Sequence, residues 1–470
     1  MIQRSLEQIC CMIIDAELRT PLQPIAISGV STDTRTIQQG NLFVPLIGEH
    51  YDGHDYAQQA YERGAVAMVW QRDHDSAAIP NGMPILFVND TLQALQQLAS
   101  AYRKQLSVRV IGITGSNGKT STKDMVASVM STEFRVHKTI GNLNNHIGLP
   151  QTLLQLEENT EIAVVEMGMS GRGEIELLSR IASPNAVIIT NVGEAHMLQL
   201  GSREEIARAK FEIIAGLRDE GVLIYLGDEP LLRGLVAEHM NQHVQVITFG
   251  SRAGDNDYYA IANEIRVQAD QTLFSVKVGE QARMLSGLSI PLLGRHNVIN
   301  ALAAIAVAEW LGLDVSSIRS GLKKTIPTGM RIELLHAIHG LTILNDAYNA
   351  SPASMKAALQ LLDELQGYQQ KIVVLGDMLE LGPQSESFHR SIGKLLNSLH
   401  FDYIFTFGEM AAYIADECRA SYPLNRVVAT KDKAELAKRV AAVAMTQDIV
   451  LVKASRGKRL EEVVEALRLV

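Results

Sequence analysis

Cysteine is nearly absent. The chain has three in 470 residues (Cys10, Cys11 and Cys418), and none forms a C-x-x-C pair. That excludes a disulfide framework and fits a reducing setting, so a cytoplasmic location is expected. Long apolar runs are absent as well. The first such stretch, residues 9–14, is closed by Asp15, too short for the apolar region of a secretory signal. Residues 301–308 are closed by Glu309, far short of the ~18 apolar residues of a membrane helix, so no membrane insertion is expected. There is no surplus of positive charge: the formal net charge is −9. A mildly acidic chain has no global field for nucleic acid or anionic lipid, and no nucleic-acid partner is expected. Low-complexity tracts and strong repeats are missing too.

What is present is the composition of a soluble globular protein, 47% hydrophobic and 20% charged. Its length implies two to four domains. Three textures follow one another. Residues 1–106 read as a small α/β unit, with strands at 41–47, 65–70 and 85–88 and helical text at 55–63 and 91–102. Residues 107–327 begin with a β-branched strand at 108–114. Further strands follow at 162–166, 186–191 and 222–225, alternating with helices, as in a mostly parallel sheet covered on both faces. The 257–293 stretch alternates like an antiparallel excursion, and 297–311 is an alanine-rich helix. Residues 328–470 repeat the rhythm, with strands at 341–345, 371–375, 403–407, 426–429 and 449–453. This third unit resembles a doubly wound, Rossmann-like domain, although it has no G-x-G-x-x-G.

The strongest local signal is Thr114-Gly115-Ser116-Asn117-Gly118-Lys119-Thr120. Glycines let consecutive N–H groups face a phosphate, and the helix that follows adds its positive end. Lys119 would reach the outer phosphates, and the Thr120 hydroxyl would hold Mg²⁺. The position five before Gly118 is Ile113 rather than glycine, so the usual spacing is not met, and a plain Gly-rich turn is the competing reading. Glu166 closes a strand at the edge where open α/β sheets bind ligands, and could take Mg²⁺ through oxygen or simply be solvated. His196 follows another strand; alone, it is as readily structural. Lys210 shares a predicted helix face (202–217) with Ile206, Ile213, Ile214 and Leu217. A buried ammonium there is costly unless paired or discharged, so the residue is either a snorkelling lysine or one that is modified or metal-associated. Asn297 and Asn300 share a helix face and could read a nucleobase or cap the helix. Asp346, Tyr348 and Asn349 lie in a polar break after a strand, where turn chemistry competes with nucleotide binding. Gly376-Asp377 has the same position and the same competing reading.

Taken in this order, the motifs resemble the Mur ligase family of ATP-dependent amide-forming enzymes over nearly the whole chain. Four pieces carry the likeness: Ser31-Thr32-Asp33-Thr34-Arg35 with Asp52-Gly53-His54-Asp55; residues 114–120; Asn142-Leu143-Asn144-Asn145 with Gly148 and Pro150; and Asp346-Ala347-Tyr348-Asn349-Ala350-Ser351-Pro352. The last two resemble the branch that joins D-alanyl-D-alanine to UDP-N-acetylmuramoyl-tripeptide in peptidoglycan precursor synthesis. A sister ligase adding diaminopimelate or lysine is the alternative. The resemblance implies three domains: a UDP-substrate domain, a central P-loop ATPase domain and a C-terminal ligase domain. It also implies roles. Lys119, Glu166, His196 and Lys210 would be catalytic. Gly115, Ser116, Asn117, Gly118, Lys119, Thr120, Asn297, Arg331 and Asp346 would hold ATP. Thr120, Glu166, His196 and a carbamylated Lys210 would hold or support Mg²⁺. Ser31, Asp33, Arg35, Asn144, Asn145, Tyr348 and Asn349 would meet the substrates. A monomer is expected. A P-loop motor or GTPase would need guanine-reading text, which the chain lacks.

Overall fold

A computed structural model describes residues 1–19, 24–240, 244–252, 254–279 and 283–469. Its architecture is three main sheets in series, with a small two-stranded antiparallel sheet of Gln3–Ser5 and Ala26–Ser28 near the N-terminus. The first has five strands in the order Glu17–Arg19, Ile85–Val88, Ala65–Gln71, Asn41–Phe43, Val30–Ser31. The strand expected over 41–47 stops at Phe43. Pro45 has no N–H to give a ladder, and Leu46 turns its carbonyl to the N–H of Gly53, 2.9 Å away. A Cβ on Gly53 would stand 2.6 Å from the Leu46 nitrogen, so only glycine closes this loop.

The central sheet has ten strands. Seven of them run parallel from Val136–Lys138 through Ile162–Glu166, Arg109–Thr114, Ala186–Ile189, Val222–Leu226 and Gln245–Gly250 to Tyr258–Ala260. The expected antiparallel excursion is Thr272–Val278, paired with both Tyr258–Ala260 and Arg283–Ile290; residues 280–282 lie outside the described residues. Strand residues alternate between two cores, as the period of two requires. Val110, Ala163 and Val165 face one, while Ile111, Ile113, Ile162 and Val164 face the other. The helices Lys119–Met130 and Arg295–Trp310 cover the second core. The first core continues into the N-terminal region through Ile2, Leu6, Leu95 and Tyr102, so those residues and the central sheet share one buried body.

The third sheet has six strands in the order Glu333–His336, Thr342–Asp346, Ile449–Lys453, Lys371–Gly376, Tyr403–Phe407, Val427–Thr430. All pairings are parallel except the first, and helices cover both faces. The carboxyl edges of the second and third sheets meet. Thr328 donates from both its N–H and its hydroxyl to Asp124, and the Ser351 hydroxyl donates to Asn117 Oδ1 at 3.1 Å. No described helix is long and apolar enough to cross a membrane.

Candidate active site

Strand Arg109–Thr114 runs up the middle of the central sheet and delivers residues 115–118 to its carboxyl edge. Gly118 has φ of 80°, and a Cβ there would sit 2.5 Å from Asn300 Oδ1. A Cβ on Gly115 would fall 1.8 Å from Thr190 Oγ1. Close approach, as well as conformation, therefore requires both glycines. Asn191 braces the turn: its carbonyl arm accepts from the Asn117 N–H at 2.9 Å, and its amide donates to the Asn117 carbonyl at 2.8 Å. The N–H of Gly193 donates to Ser116 Oγ at 2.8 Å. The loop is thus held open before any ligand arrives.

Lys119 opens the helix and curls back, its Nζ donating to the Gly115 carbonyl at 2.7 Å. Burial lowers its pKa; Glu166 opposes that shift and Arg331 adds to it. Thr120 Oγ1 donates to Glu166 Oε2 at 3.0 Å, and Asn144 Nδ2 donates to Glu166 Oε1 at 2.8 Å. The Glu166 N–H donates to Thr139 Oγ1, fixing the strand end. Glu166 is only 3% exposed, so this carboxylate is no solvated strand end.

Lys210 is buried in the helix Arg203–Phe211, among Ile206, Ala207 and Ala209. The helix expected over 202–217 ends at Phe211 and tightens into 3₁₀ turns over Glu212–Gly216. The reason is tertiary. Gly216 presses on the Ser179 carbonyl, which a Cβ would meet at 2.1 Å, and Ser179 Oγ both accepts from the Gly216 N–H and donates to the Ile213 carbonyl. Lys210 remains on the buried face. Desolvation, then the neighbouring Lys119 charge, drives its pKa well below the ordinary lysine value.

A cavity of about 310 Å³ lies where the two carboxyl edges meet. Of the expected nucleotide residues, Asn117, Gly118, Asn297, Arg331 and Asp346 line it, as does Asn349. The guanidinium of Arg331 stacks over the Tyr348 ring, 4.3 Å from its centroid, and its Nε has no partner among the described residues. Asn297 does not cap its helix. That position belongs to Gly294, and the Asn297 amide donates to the Leu293 carbonyl.

Two titratable cavity residues were missed by sequence reasoning. Lys453, buried at the end of the strand beside Asp346, is ion-paired with that carboxylate and donates to the Asn349 carbonyl at 3.0 Å. Its signal was a lysine ending an otherwise apolar strand at the carboxyl edge. His296 also lines the cavity, with its pKa pushed down by burial to about 4.

Other expected residues lie elsewhere. His196 has φ of 67° and places Nδ1 2.9 Å from Glu380 Oε2, in the loop after strand Lys371–Gly376. Its pairing is across the two sheets. Asp33 caps the turn Thr34–Thr36 and pairs with Arg35 at 2.6 Å, while Ser31 Oγ meets Thr36 Oγ1 at 2.9 Å. None of Ser31, Asp33 or Arg35 lines the cavity. Thr32 Oγ1 accepts from Gln151 on the helix Gly148–Leu154, whose first N–H, that of Gly148, donates to Asn145 Oδ1 at 2.8 Å. The neighbouring Asn144 reaches Glu166, so one chain of contacts links the first region to the site. Asp52 accepts from His54 Nδ1 at 2.6 Å and His74 Nε2 at 2.9 Å. The two rings stack at 11° and 4.1 Å, and such parallel planes do not converge on a shared metal. The trio is a carboxylate-braced histidine pair.

The geometry agrees with comparisons to known proteins. Family models match three consecutive stretches: Mur ligase family, catalytic domain, over residues 26–103; Mur ligase middle domain over 113–308; and Mur ligase, glutamate ligase domain, over 330–456. The chain is 48% identical over 467 residues to the UDP-N-acetylmuramoyl-tripeptide–D-alanyl-D-alanine ligase of Bacillus subtilis, covering 99% of both. It is 35% identical over 446 residues to the enzyme of that name from Escherichia coli, covering 94% of each. Among solved structures, MurF from Acinetobacter baumannii superposes with a TM-score of 0.87 at 29% identity, covering 99% of both chains. MurF ligase from Thermotoga maritima in complex with ADP superposes at 0.80 and 28%, covering 94% of this chain and 97% of that one. Across its whole length, therefore, this chain belongs to the Mur ligase family.

Proposed function

We propose that the chain is an ATP-dependent, ADP-forming ligase that joins D-alanyl-D-alanine to UDP-N-acetylmuramoyl-tripeptide. The terminal carboxylate of the tripeptide attacks the γ-phosphorus of ATP, giving an acyl phosphate and ADP. The free amine of D-alanyl-D-alanine then attacks the activated carbonyl, and phosphate leaves. One observation carries this reading. A braced phosphate loop, a buried carboxylate at Glu166 and a desolvated lysine at Lys210 gather at one sheet edge, beside a cavity closed by residues of another sheet. The relatives' substrates then specify which acid and which amine.

Both the attacking carboxylate and ATP are anionic, so catalysis is mainly charge neutralisation and positioning. Lys119 is free to exchange the Gly115 carbonyl for a phosphate oxygen. Arg331, which lines the cavity, adds positive charge from the opposite side. Asn297 and Asn300 line the cavity and are proposed to contact the base. The Thr120 hydroxyl and the Glu166 carboxylate are hard oxygen donors 3.0 Å apart, a set that suits Mg²⁺. Bound there, Mg²⁺ would offset phosphate charge; His196, the other expected donor, is paired with Glu380 in this structure. Burial shifts Lys210 toward its neutral amine, the form that reacts with CO₂, so carbamylation, which would turn it into an anion beside Lys119, is proposed there. Three domains are proposed: 1–106 for the UDP-substrate, 107–327 for ATP and 328–470 for closure. The three sheets support that division, with a shared core at the first boundary. The protein is proposed to act in the cytoplasm as a monomer.

The test is phosphate release with UDP-N-acetylmuramoyl-tripeptide and Mg·ATP. Release should depend on D-alanyl-D-alanine and not on diaminopimelate or lysine. Turnover with a single amino acid in its place would favour the sister ligase.

A further inference from the structure

The mechanism leaves unused a cluster of charged side chains on the phosphate-loop helix. Asp124 is 2% exposed and five residues beyond Lys119. It receives Lys138 Nζ at 2.7 Å, the Thr328 N–H at 2.9 Å and the Thr328 hydroxyl at 2.7 Å, with Lys123 Nζ at 3.7 Å. Lys138 ends the strand beside Ile162–Glu166, so one carboxylate ties the loop helix and the sheet edge to the segment entering the third region. The same helix holds the start of that segment. A Cβ on Gly321 would stand 2.4 Å from Val129 Cα, and Ser128 Oγ donates to the Gly321 carbonyl at 2.7 Å.

Three residues after Thr328 comes Arg331, and its backbone is flanked by strain. Met330 has φ of 61° and Ile332 has φ of 53°. A β-branched residue in the left-handed region persists only where its surroundings over-determine it, and such strain gathers where a side chain must be aimed. The segment is clamped from both ends. Glu333 Oε2 accepts from the Met330 N–H at 2.8 Å, and the Met330 carbonyl accepts from the Tyr348 N–H at 3.3 Å. Between these clamps and the Asp124 anchor, Arg331 is held over the Tyr348 ring with its Nε unpaired.

We propose that Asp124 is a positioning residue for phosphoryl transfer: by anchoring Thr328 to the phosphate-loop helix, it aims Arg331 into the nucleotide cavity. The phosphate loop and the arginine facing it thus share one rigid support, so a nucleotide seated on the loop finds the guanidinium at a set distance. The proposal rests on the ligase reading above.

A double-mutant cycle tests it, using the full-length chain with Mg·ATP and UDP-N-acetylmuramoyl-tripeptide in single-turnover ADP formation. Asp124→Ala should slow the step by roughly 10–100-fold, the range expected when a reacting group is misplaced by about an ångström. Binding of an unhydrolysable ATP analogue should change less than threefold, since the loop is intact. In the Arg331→Ala background, Asp124→Ala should cost nothing further, because the group it aims has gone. Should Asp124→Ala fail to fold, Thr328→Val, which removes only a hydroxyl donor, enters the same cycle with the same expected coupling. Equal losses in both backgrounds, or an unchanged rate, would overturn the positioning role. A wild-type chain that forms no ADP with the tripeptide would instead overturn the ligase reading, and the proposal with it.

Discussion

At the scale of single residues, the site is defined by side chains whose pKa the fold shifts. Lys210 is the sharpest case. Desolvation and the like charge of Lys119 act on it together, so folding favours its neutral amine. A carbamate there would supply an anion. Lys210→Ala should therefore be inactive in ADP formation yet partly rescued by short carboxylic acids at high concentration, which place a carboxylate in the vacated space; a fully active variant would remove the carbamate from the account. His296 gives a pH signature. Its folded pKa of about 4 lies below the ordinary 6.5, so the unfolded chain takes up the proton first. Its contribution is intact above about pH 6.5 and drains away as pH falls through 4. Chemical denaturation of the wild type and His296→Gln at pH 7.5 and pH 4.5 should show the wild type losing more stability over that interval. Equal losses would mean that the imidazole is not held neutral.

At the scale of elements, what was legible in the sequence divides along a physical line. Strands 162–166, 403–407 and 449–453 were placed to the residue, because buried parallel strands are unbroken β-branched runs whose ends are marked by polar text. The helix expected over 202–217 was too long, because Gly216 and Ser179 meet only in the folded chain. Lys453 was overlooked although it ends an apolar strand, because that signal does not by itself separate a cavity lysine from a solvated one; its partner Asp346 is 107 residues away. The phosphate loop was legible, since its requirements are local, although the depth of its constraint was not. Asn300, on a distant helix, leaves no room for a side chain at Gly118. Gly118→Ala should combine left-handed strain of about 1–2 kcal/mol with displacement of Asn300. ATP affinity should fall by roughly tenfold or more, measured by calorimetry with an unhydrolysable analogue. Unchanged affinity would mean that the loop tolerates a different conformation from the one described.

At the scale of the whole molecule, the question is why a nucleotide site should be split between two sheets. Polar contacts join them at Ser351 to Asn117, Thr328 to Asp124, Glu380 to His196 and the Leu198 N–H, and Glu364 to Arg295, and Leu293 and Val267 of the central region pack against the third region's core. The more exposed charge pairs among them, Arg295–Glu364 and His196–Glu380, contribute about 0.2–1 kcal/mol each, and polar interfaces between regions of one chain separate readily. An acyl phosphate must be kept from water while it forms and must then admit an amine, which a weakly joined pair of regions can accomplish and a single rigid one cannot. Nucleotide binding should therefore act on both sides of the cavity at once. Adding Mg²⁺ and an unhydrolysable ATP analogue should slow amide hydrogen exchange over residues 117–121 of the central region and over 346–358 of the third. The second effect should be lost in Arg331→Ala, because that side chain is the third region's charged reach toward the phosphates. If protection stayed within 117–121 in the wild type, the nucleotide would be held by the loop alone, and the shared cavity would have no part in closure.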